Sequence, residues 1–286
     1  MRSVYLIVAS LLPLLSLANR LGKAVTEVVN LLESWGSVPE SLRTSVEPLP
    51  APWEDIFGPL RAGRVDDLVV VGQIGQSLDG RVATLSGDSH YINRSAGLAH
   101  LHRLRAVVDA VVVGVGTVIA DDPQLTVRRV VGPHPARVVL DPRGRMQSNA
   151  RLLDCDGVRR LVVTAEGARC SLRDVEILAL PMIDGRIAPA AILAGLAERG
   201  LRRILIEGGA DTISRFLSAG CLDRLHVVVA PIILGTGRAS IVLDPIDRVE
   251  QALRPQMHVH WLDGEVLFDC DLSSQRVPIG RANKST

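Results

Sequence analysis

The sequence VVVGVGTVIADDPQLTVR, residues 111–128, indicates how the polypeptide around it folds. Residues 110–113 form a continuous apolar run, which is typical of a strand buried on both faces of a sheet. Gly114 and Gly116 are expected to end that strand, and a cluster of Thr, Asp and Arg residues follows. In an open α/β sheet, ligands bind beyond the carboxyl ends of the strands. The segment therefore predicts a strand that leads into a binding loop, with an ordinary solvated Asp-Asp-Pro turn as the alternative.

Similar apolar runs alternate with helical patterns further along the chain. Strands are predicted at residues 68–74, 136–140, 160–164, 175–180, 203–206 and 223–230, and helices at residues 95–107, 189–199 and 211–218. Residues 259–262 and 265–271, around Asp263-Gly264, predict a terminal hairpin. This order predicts an α/β fold: a mixed, mostly parallel sheet with helices on both faces and a C-terminal antiparallel hairpin.

The sequence divides into three parts. Residues 1–65 combine a signal-like or accessory N-terminal extension, in which residues 19–35 have helical spacing, with a Pro-rich linker. The linker is expected to have little structure of its own, although its Trp53, Ile56 and Phe57 could dock on the main domain. Residues 66–272 form the predicted α/β domain. Residues 273–286 form a polar tail that we expect to fray.

Composition excludes several classes of protein. The 32 Lys and Arg residues nearly balance 31 Asp and Glu residues, so there is no general attraction to nucleic acid or to a membrane surface. The four cysteines form no CxxC pair, which favours reduced thiols over a disulfide framework. No histidine pattern predicts a metal site, and His100 and His102 are expected to be surface or helix-packing residues. The G-x-G-x-x-G, phosphate-loop and G-x-S-x-G motifs are absent.

Three glycine-containing segments follow predicted strands and contain groups suited to nucleotides and phosphates. Two adjacent glycines at a helix N-terminus expose backbone N–H groups to a pyrophosphate, although glycines also occur there for steric reasons alone. The segments are GQSLDGR (75–81) leading to GDSHY (87–91), the segment 111–128, and IEGGA (206–210).

Taken in order, these segments resemble one family closely, over residues 66–272. The resemblance is to the reductase domain of the bifunctional riboflavin-biosynthesis deaminase/reductase, in a stand-alone form. It implies a dihydrofolate-reductase-like fold and an oxidoreductase that uses NADPH to reduce the ribosyl group of 5-amino-6-(5-phosphoribosylamino)uracil to the ribityl form. The similar motifs are SLDGR (77–81), GDSHYI (87–92), LR (104–105), GTVIADDPQLTVR (116–128), RVVLDP (137–142), IEGG (206–209) and AP-x-x-LG (230–235).

The resemblance also implies roles for individual residues. Asp121 and Glu207 are the implied catalytic residues. The guanidinium groups of Arg105 and Arg128 suit the 5′-phosphate of the substrate. From the residues alone, Arg105 could instead form a surface ion pair, and Glu207 could cap the following turn. The implied substrate contacts are Ser89, Arg105, Leu125, Arg128 and Glu207. The implied cofactor contacts are Gly75, Tyr91, Thr117, Asp121, Pro142, Gly209, Ala210, Asp211, Thr212, Ile213, Ser214 and Arg215. Thr164, Arg143 and Arg169 are all candidates for contact with the 2′-phosphate of NADPH.

Two features depart from the family. The chain lacks the H-x-E and P-C-x-x-C motifs of the zinc deaminase, so it is not expected to catalyse the deamination. Gln73 stands where members commonly have Lys, and Gln can only hydrogen-bond. This difference keeps two alternatives open: a paralogous reductase of another pyrimidine- or pterin-like metabolite, and a non-catalytic nucleotide-binding regulatory protein.

Partners and location follow from the resemblance. We expect a homodimer that binds a phosphorylated aminopyrimidine, with no nucleic acid and no stable membrane association. Because the cofactor and the pathway intermediates are cytosolic, a cytoplasmic protein is expected. Residues 1–18 nevertheless resemble a secretory signal, with Arg2 before an apolar run that ends in Ser16-Leu17-Ala18. The protein would be exported or anchored if that signal is genuine; an upstream mis-assigned start and an accessory helix are the other interpretations.

Overall fold

The computed structural model describes residues 34–90 and 92–279. The chain divides into two compact units, Met1–Gly58 and Pro59–Thr286. The signal-like segment 1–18, nearly all of the predicted helix at 19–35, and Tyr91 lie outside the described residues. No helix among the described residues is long and apolar enough to cross a membrane.

The described part of the first unit contains two short helices, α1 (Val38–Thr44) and α2 (Trp53–Phe57). Three buried aromatic rings stabilise it: the ring centroid of Trp35 lies 5.2 Å from those of Trp53 and Phe57, in edge-to-face arrangements. The expectation of a linker with little structure is therefore wrong for this stretch, because the aromatic residues supply a local core between the prolines.

The second unit contains eleven strands and four helices among its described residues. The strands are β1 (Val69–Ser77), β2 (Arg81–Thr84), β3 (Ala110–Gly114), β4 (Ala136–Leu140), β5 (Arg160–Ala165), β6 (Glu176–Leu180), β7 (Arg203–Glu207), β8 (Arg224–Ala230), β9 (Gly237–Ala239), β10 (Gln256–Leu262) and β11 (Glu265–Asp271). The helices are α3 (Ser95–Val107), α4 (Val115–Asp121), α5 (Pro189–Glu198) and α6 (Ala210–Ser218).

Nine strands form one sheet in the order β10-β11-β8-β1-β7-β3-β4-β5-β6. Neighbours from β8 to β6 run parallel, whereas β10, β11 and β8 pair antiparallel. The central strands are runs of Val, Ile and Leu with almost no exposure, as expected for strands covered on both faces. The predicted α/β fold, with its mostly parallel sheet and terminal hairpin, is confirmed.

Helices cover both faces of this sheet. A Cβ atom at Gly72 of β1 would lie 3.3 Å from Ile213 of α6, so α6 packs on the face that Gly72 presents. On the opposite face, a Cβ atom at Gly97 of α3 would lie 3.0 Å from Val228 of β8. Gly72 pairs with Leu225 of β8. Because side chains alternate along a strand, Leu225 and Val228 point to opposite faces.

Two expectations about local structure are wrong, and one small sheet was not predicted. The residues after β3 form helix α4 rather than a loop, and Gly116 lies inside that helix. Strands β2 and β9, too short to predict from pattern, pair antiparallel in a small second sheet. The described part of the tail does not fray: Ser273–Gln275 form a 3₁₀ turn, and the buried Arg276 lies 3.4 Å from carboxylate oxygens of Asp66 and Asp223.

Candidate active site

A cleft of about 1020 Å³ opens at the carboxyl ends of β1, β3, β4 and β7. Its floor includes Gln73 and Gly75 of β1, Gly114 of β3, Leu140 of β4 and Glu207 of β7. Ligand sites in proteins usually measure roughly 300–1,000 Å³, so this cleft has room for a large ligand or for two smaller ones. The parallel sheet therefore builds the site where its topology predicts one.

A buried ion pair lies in the floor of the cleft. Arg105 Nε and Nη2 donate hydrogen bonds of 2.7 and 2.6 Å to the two carboxylate oxygens of Glu207. Arg105 Nη1 also donates to the backbone oxygen of Thr126 at 3.1 Å. The two charged side chains are only 8% and 7% exposed. The ion pair of Arg105 is therefore buried and not on the surface, and most of its N–H groups already have protein acceptors. Glu207 binds Arg105 and does not cap the following turn.

Gln73 lies beside this pair. In the sheet it is the register partner of Glu207 on β7 and of His226 on β8. Its side chain lines the cleft although it is 8% exposed. The residue that departs from the family pattern is therefore next to the charged pair.

Helix α6 presents its N-terminus to the cleft. Gly209 is its N-cap residue and has no side chain to satisfy the first N–H groups. The N–H of Gly209 donates to Thr117 Oγ1 at 3.2 Å, which links α6 to α4. Among the described residues, the N–H groups of Ala210 and Asp211 have no acceptor. Free N–H groups and the helix dipole suit a negatively charged ligand such as a diphosphate.

Two arginines line the cleft at the end of β4. Arg143 and Arg145 lie on a turn in which the Met146 N–H donates to the buried Asp141 carboxylate at 2.7 Å. Neither guanidinium has a hydrogen bond or ion pair with any described residue. Two other candidates for the 2′-phosphate do not line the cleft: Thr164 is 1% exposed in β5, and Arg169, whose backbone oxygen packs against Gly144, is not among the lining residues. Of the three candidates only Arg143 lines the cleft, and Arg145 was not predicted.

Helix α4 and the turn after it form another wall. Asp121, its last residue, has an exposed carboxylate in the cleft. Leu125 also lines the cleft, is almost fully buried, and has a φ of 56°. A left-handed conformation is unusual for a leucine, and such backbone strain is concentrated at functional sites.

Most predicted site residues meet in this cleft, but three do not. Ile213 points into the core from α6, and Ser214 Oγ accepts a hydrogen bond from the Val242 N–H. The Arg128 guanidinium instead donates to Gln124 and Thr126 side chains outside the lining. The predicted residues that line the cleft are Gly75, Ser89, Arg105, Thr117, Asp121, Leu125, Pro142, Glu207, Gly209, Ala210, Asp211, Thr212 and Arg215.

The two histidines of α3 are helix-packing residues. His100 Nε2 lies 3.0 Å from His226 Nδ1, and burial lowers the pKa of His100. His102 Nδ1 accepts the Arg128 N–H at 2.9 Å. Burial, together with the neighbouring Arg105, Arg128 and Arg129, lowers the pKa of His102 to about 3. Both imidazoles are therefore neutral near pH 7. Among residues 34–90 and 92–279, no cluster of His, Cys, Asp and Glu could hold a metal ion.

Comparison with known proteins gives a consistent family. The model described as the RibD C-terminal domain matches residues 69–265. The chain is 32% identical over 206 residues to the 2,5-diamino-6-ribosylamino-4(3H)-pyrimidinone 5′-phosphate reductase of Methanothermobacter thermautotrophicus, and the alignment covers 70% of this chain and 95% of that relative.

Longer relatives contain this unit as one part. The riboflavin biosynthesis protein RibD of Aquifex aeolicus is 36% identical over 184 residues, which cover 63% of this chain and 50% of that protein. Among solved structures, the deaminase/5-amino-6-(5-phosphoribosylamino)uracil reductase of Thermotoga maritima matches with a TM-score of 0.61 and 30% identity, over 71% of this chain and 56% of that one. The chain spans about half the length of these two relatives.

Proposed function

Because the chain belongs to the RibD C-terminal domain family, we propose that it is a riboflavin-pathway reductase of a phosphoribosylaminopyrimidine. Its substrate would be 5-amino-6-(5-phosphoribosylamino)uracil, and its product the corresponding ribitylamino compound. The observation that carries the proposal is the single cleft in which the N-terminus of α6 and the buried Arg105–Glu207 pair both lie.

The residues around α6 and β4 fit a nicotinamide dinucleotide. When bound, such a cofactor supplies the hydride. The free N–H groups at the start of α6 would hold its diphosphate, with Thr117 fixing the Gly209 backbone. Parallel strands lie about 4.8 Å apart, so the end of β4 is roughly 10 Å from the end of β7. Arg143 and Arg145 would thus be the residues to hold the adenosine ribose, where their charge would favour the 2′-phosphate of NADPH over the hydroxyl of NADH.

The residues around β1 and β7 fit the substrate. Both oxygens of Glu207 accept from Arg105 and keep further lone pairs, which can accept hydrogen bonds from pyrimidine amino groups and stabilise developing positive charge. Asp121, exposed and unpaired among the described residues, can bind a sugar hydroxyl or exchange a proton with water. Leu125 and Ser89 bound the same space.

A second candidate substrate is the 2,5-diaminopyrimidinone named for the archaeal relative, since the alignment covers 95% of that stand-alone reductase. The two pyrimidines differ in carrying a carbonyl or an amino group on the ring. Gln73 can donate to the first or accept from the second, because a carboxamide has both kinds of group.

A direct assay tests the proposal. Purified protein is mixed with NADPH and either pyrimidine, NADPH absorbance is followed, and mass spectrometry identifies the product. We expect NADPH oxidation coupled to formation of the ribityl compound. Tight NADPH binding without oxidation in the presence of either pyrimidine would instead favour the regulatory-protein alternative.

We also propose a cytoplasmic homodimer. Strand β10 is at the edge of the sheet, and its Met257, Val259 and Trp261 side chains are 51%, 52% and 79% exposed. An apolar edge strand of this kind supports pairing with a second copy of the chain. Light scattering should give twice the chain mass, and cell fractionation should recover the protein with cytosolic enzymes.

A further inference from the structure

The small sheet of β2 and β9 forms one wall of the cleft. Asp79 anchors it: one carboxylate oxygen accepts from the Ser77 hydroxyl at 2.6 Å and from the Leu234 N–H at 3.1 Å, and the other accepts from the Gly235 N–H at 2.7 Å. These bonds lower the pKa of Asp79 to about 2. They tie the turn before β2 to the residues before β9, next to the small sheet.

Arg238 is the cationic residue of this wall. It pairs with Ala83 across the small sheet and lines the cleft. Its side chain is exposed, and it has no hydrogen bond or ion pair with any described residue. A guanidinium in a ligand-sized cleft that lacks a protein partner is available to an anion.

Two glycines define the space around Arg238. A Cβ atom at Gly237 would lie 2.5 Å from the Ala83 backbone oxygen, so a larger residue there would push the strands apart. Gly87 has a φ of 97°, and a Cβ atom there would lie 3.1 Å from Arg238 Nη2. A side chain at position 87 would therefore crowd the guanidinium, which lies next to the Gly87 backbone.

The arginines expected to bind phosphate are less available. Three of the five N–H donors of Arg105 are engaged by Glu207 and Thr126. The guanidinium of Arg128 donates to Gln124 and Thr126, outside the cleft lining. Arg238 supplies an unpaired guanidinium to the same cleft, which the half-buried Ser89 also lines.

We propose that Arg238 binds a phosphoryl group of a ligand in the cleft, with the Ser89 hydroxyl as a neighbouring donor. This inference rests on the proposed function, in which either of two ligands could provide the phosphoryl group. They are the substrate, through its 5′-phosphate, and the cofactor, through its diphosphate. A planar guanidinium donates two parallel hydrogen bonds to phosphate oxygens.

The test uses Arg238→Ala and Arg238→Lys, with Arg254→Ala as a control. Arg254 is exposed outside the cleft lining and hydrogen-bonds the Val249 backbone oxygen. The substrate arm measures KM for the phosphorylated pyrimidine and for its dephosphorylated nucleoside. The cofactor arm measures Kd for NADPH by fluorescence. A third arm measures binding of inorganic pyrophosphate by calorimetry and needs no turnover.

Removal of a charge-assisted contact should weaken binding about ten- to hundredfold. If the source is the substrate, Arg238→Ala raises KM for the phosphorylated pyrimidine and leaves that for the nucleoside unchanged. If the source is the cofactor, Kd for NADPH rises instead. Arg238→Lys should retain part of the affinity in the affected arm.

The inference is overturned if Arg238→Ala matches the Arg254→Ala control in all three arms. The pyrophosphate measurement distinguishes failure of this inference from failure of the proposed function. If the wild-type protein reduces neither pyrimidine, the proposed function is wrong, and loss of pyrophosphate binding in Arg238→Ala still supports an anion site. Equal pyrophosphate affinity in the wild type and the variant, without turnover, refutes the site as well.

Discussion

The buried pair of Arg105 and Glu207 allows a quantitative prediction about stability. Glu207→Gln keeps the shape of the side chain and one acceptor oxygen but removes its charge. The Arg105 side chain, which is only 8% exposed, is then left as a buried cation without a counter-charge. Removing one partner of a buried ion pair costs about 3–5 kcal/mol. Because one hydrogen bond survives, we expect a loss of about 3 kcal/mol in the free energy of unfolding, measured by urea denaturation followed by circular dichroism.

The chain provides a matched control for this experiment. Arg159 Nε and Nη2 bond the two carboxylate oxygens of Glu176 at 2.8 and 2.9 Å, in the same two-bond geometry, but both side chains are 44% exposed. Glu176→Gln should cost less than about 1 kcal/mol, because solvent screens an exposed pair. Equal losses in the two variants would refute the argument that burial makes the Arg105–Glu207 pair costly to break.

A double variant separates the pair from its individual charges. Arg105→Met with Glu207→Leu replaces both partners by apolar side chains of similar volume. Such replacements are commonly neutral or stabilising, so the double variant should be more stable than Glu207→Gln by about 2 kcal/mol or more. It should nevertheless have no reductase activity, since the proposed substrate contacts are gone. A double variant less stable than the single one would contradict this prediction.

Three further predictions concern specificity and pH. Gln73→Lys replaces a side chain that donates and accepts by one that only donates, so kcat/KM should shift about tenfold toward the uracil and away from the diaminopyrimidinone; an unchanged ratio would exclude Gln73 from ring recognition. The double variant Arg143→Ala/Arg145→Ala should lower kcat/KM about ten- to hundredfold with NADPH and leave it unchanged with NADH. Equal losses with both cofactors would contradict binding of the 2′-phosphate by these arginines. Folding lowers the pKa of His102 from 6.5 to about 3. Between these pH values the imidazole is protonated in the unfolded chain and neutral in the folded one. The free energy of unfolding should therefore decrease as pH falls from 6 to 4, by at most about 1.4 kcal/mol per pH unit for this group. His102→Asn keeps the acceptor and should make that slope shallower in urea denaturation at several pH values; an identical slope would show that His102 does not titrate on unfolding.

The sequence predicts the main sheet well because its strands are short continuous apolar runs. These runs do not show the helical spacing of apolar and polar residues that would favour a helix. Strand β4 and helix α3 begin and end where the patterns do. The resemblance to the reductase domain is likewise confirmed, because its motifs are spread over most of the matched range, 69–265. Local pattern and family motif agree for the long strands of this part of the chain, but not for the segment of α4.

Features that depend on distant residues escaped prediction. Arg105 and Glu207 are 102 positions apart, and nothing in either local sequence indicates that they pair. Strands β2 and β9 have only four and three residues, too few for a period to be recognised, so Arg238 was not associated with the cleft. Helix α4 was missed because Gly114 and Gly116 predict a loop more strongly than its short apolar pattern predicts a helix.

The position of β1 has a consequence for biosynthesis. This strand comes early in the second unit, yet it pairs only with β7 and β8, which come from the last third of the chain. At roughly 5–20 residues per second, the ribosome delivers those partners on the order of ten seconds after β1 emerges. During that interval an apolar strand has both edges open, and loop closure over such separations is slow. Newly made chains should therefore depend on chaperones at the ribosome until β8 has been released.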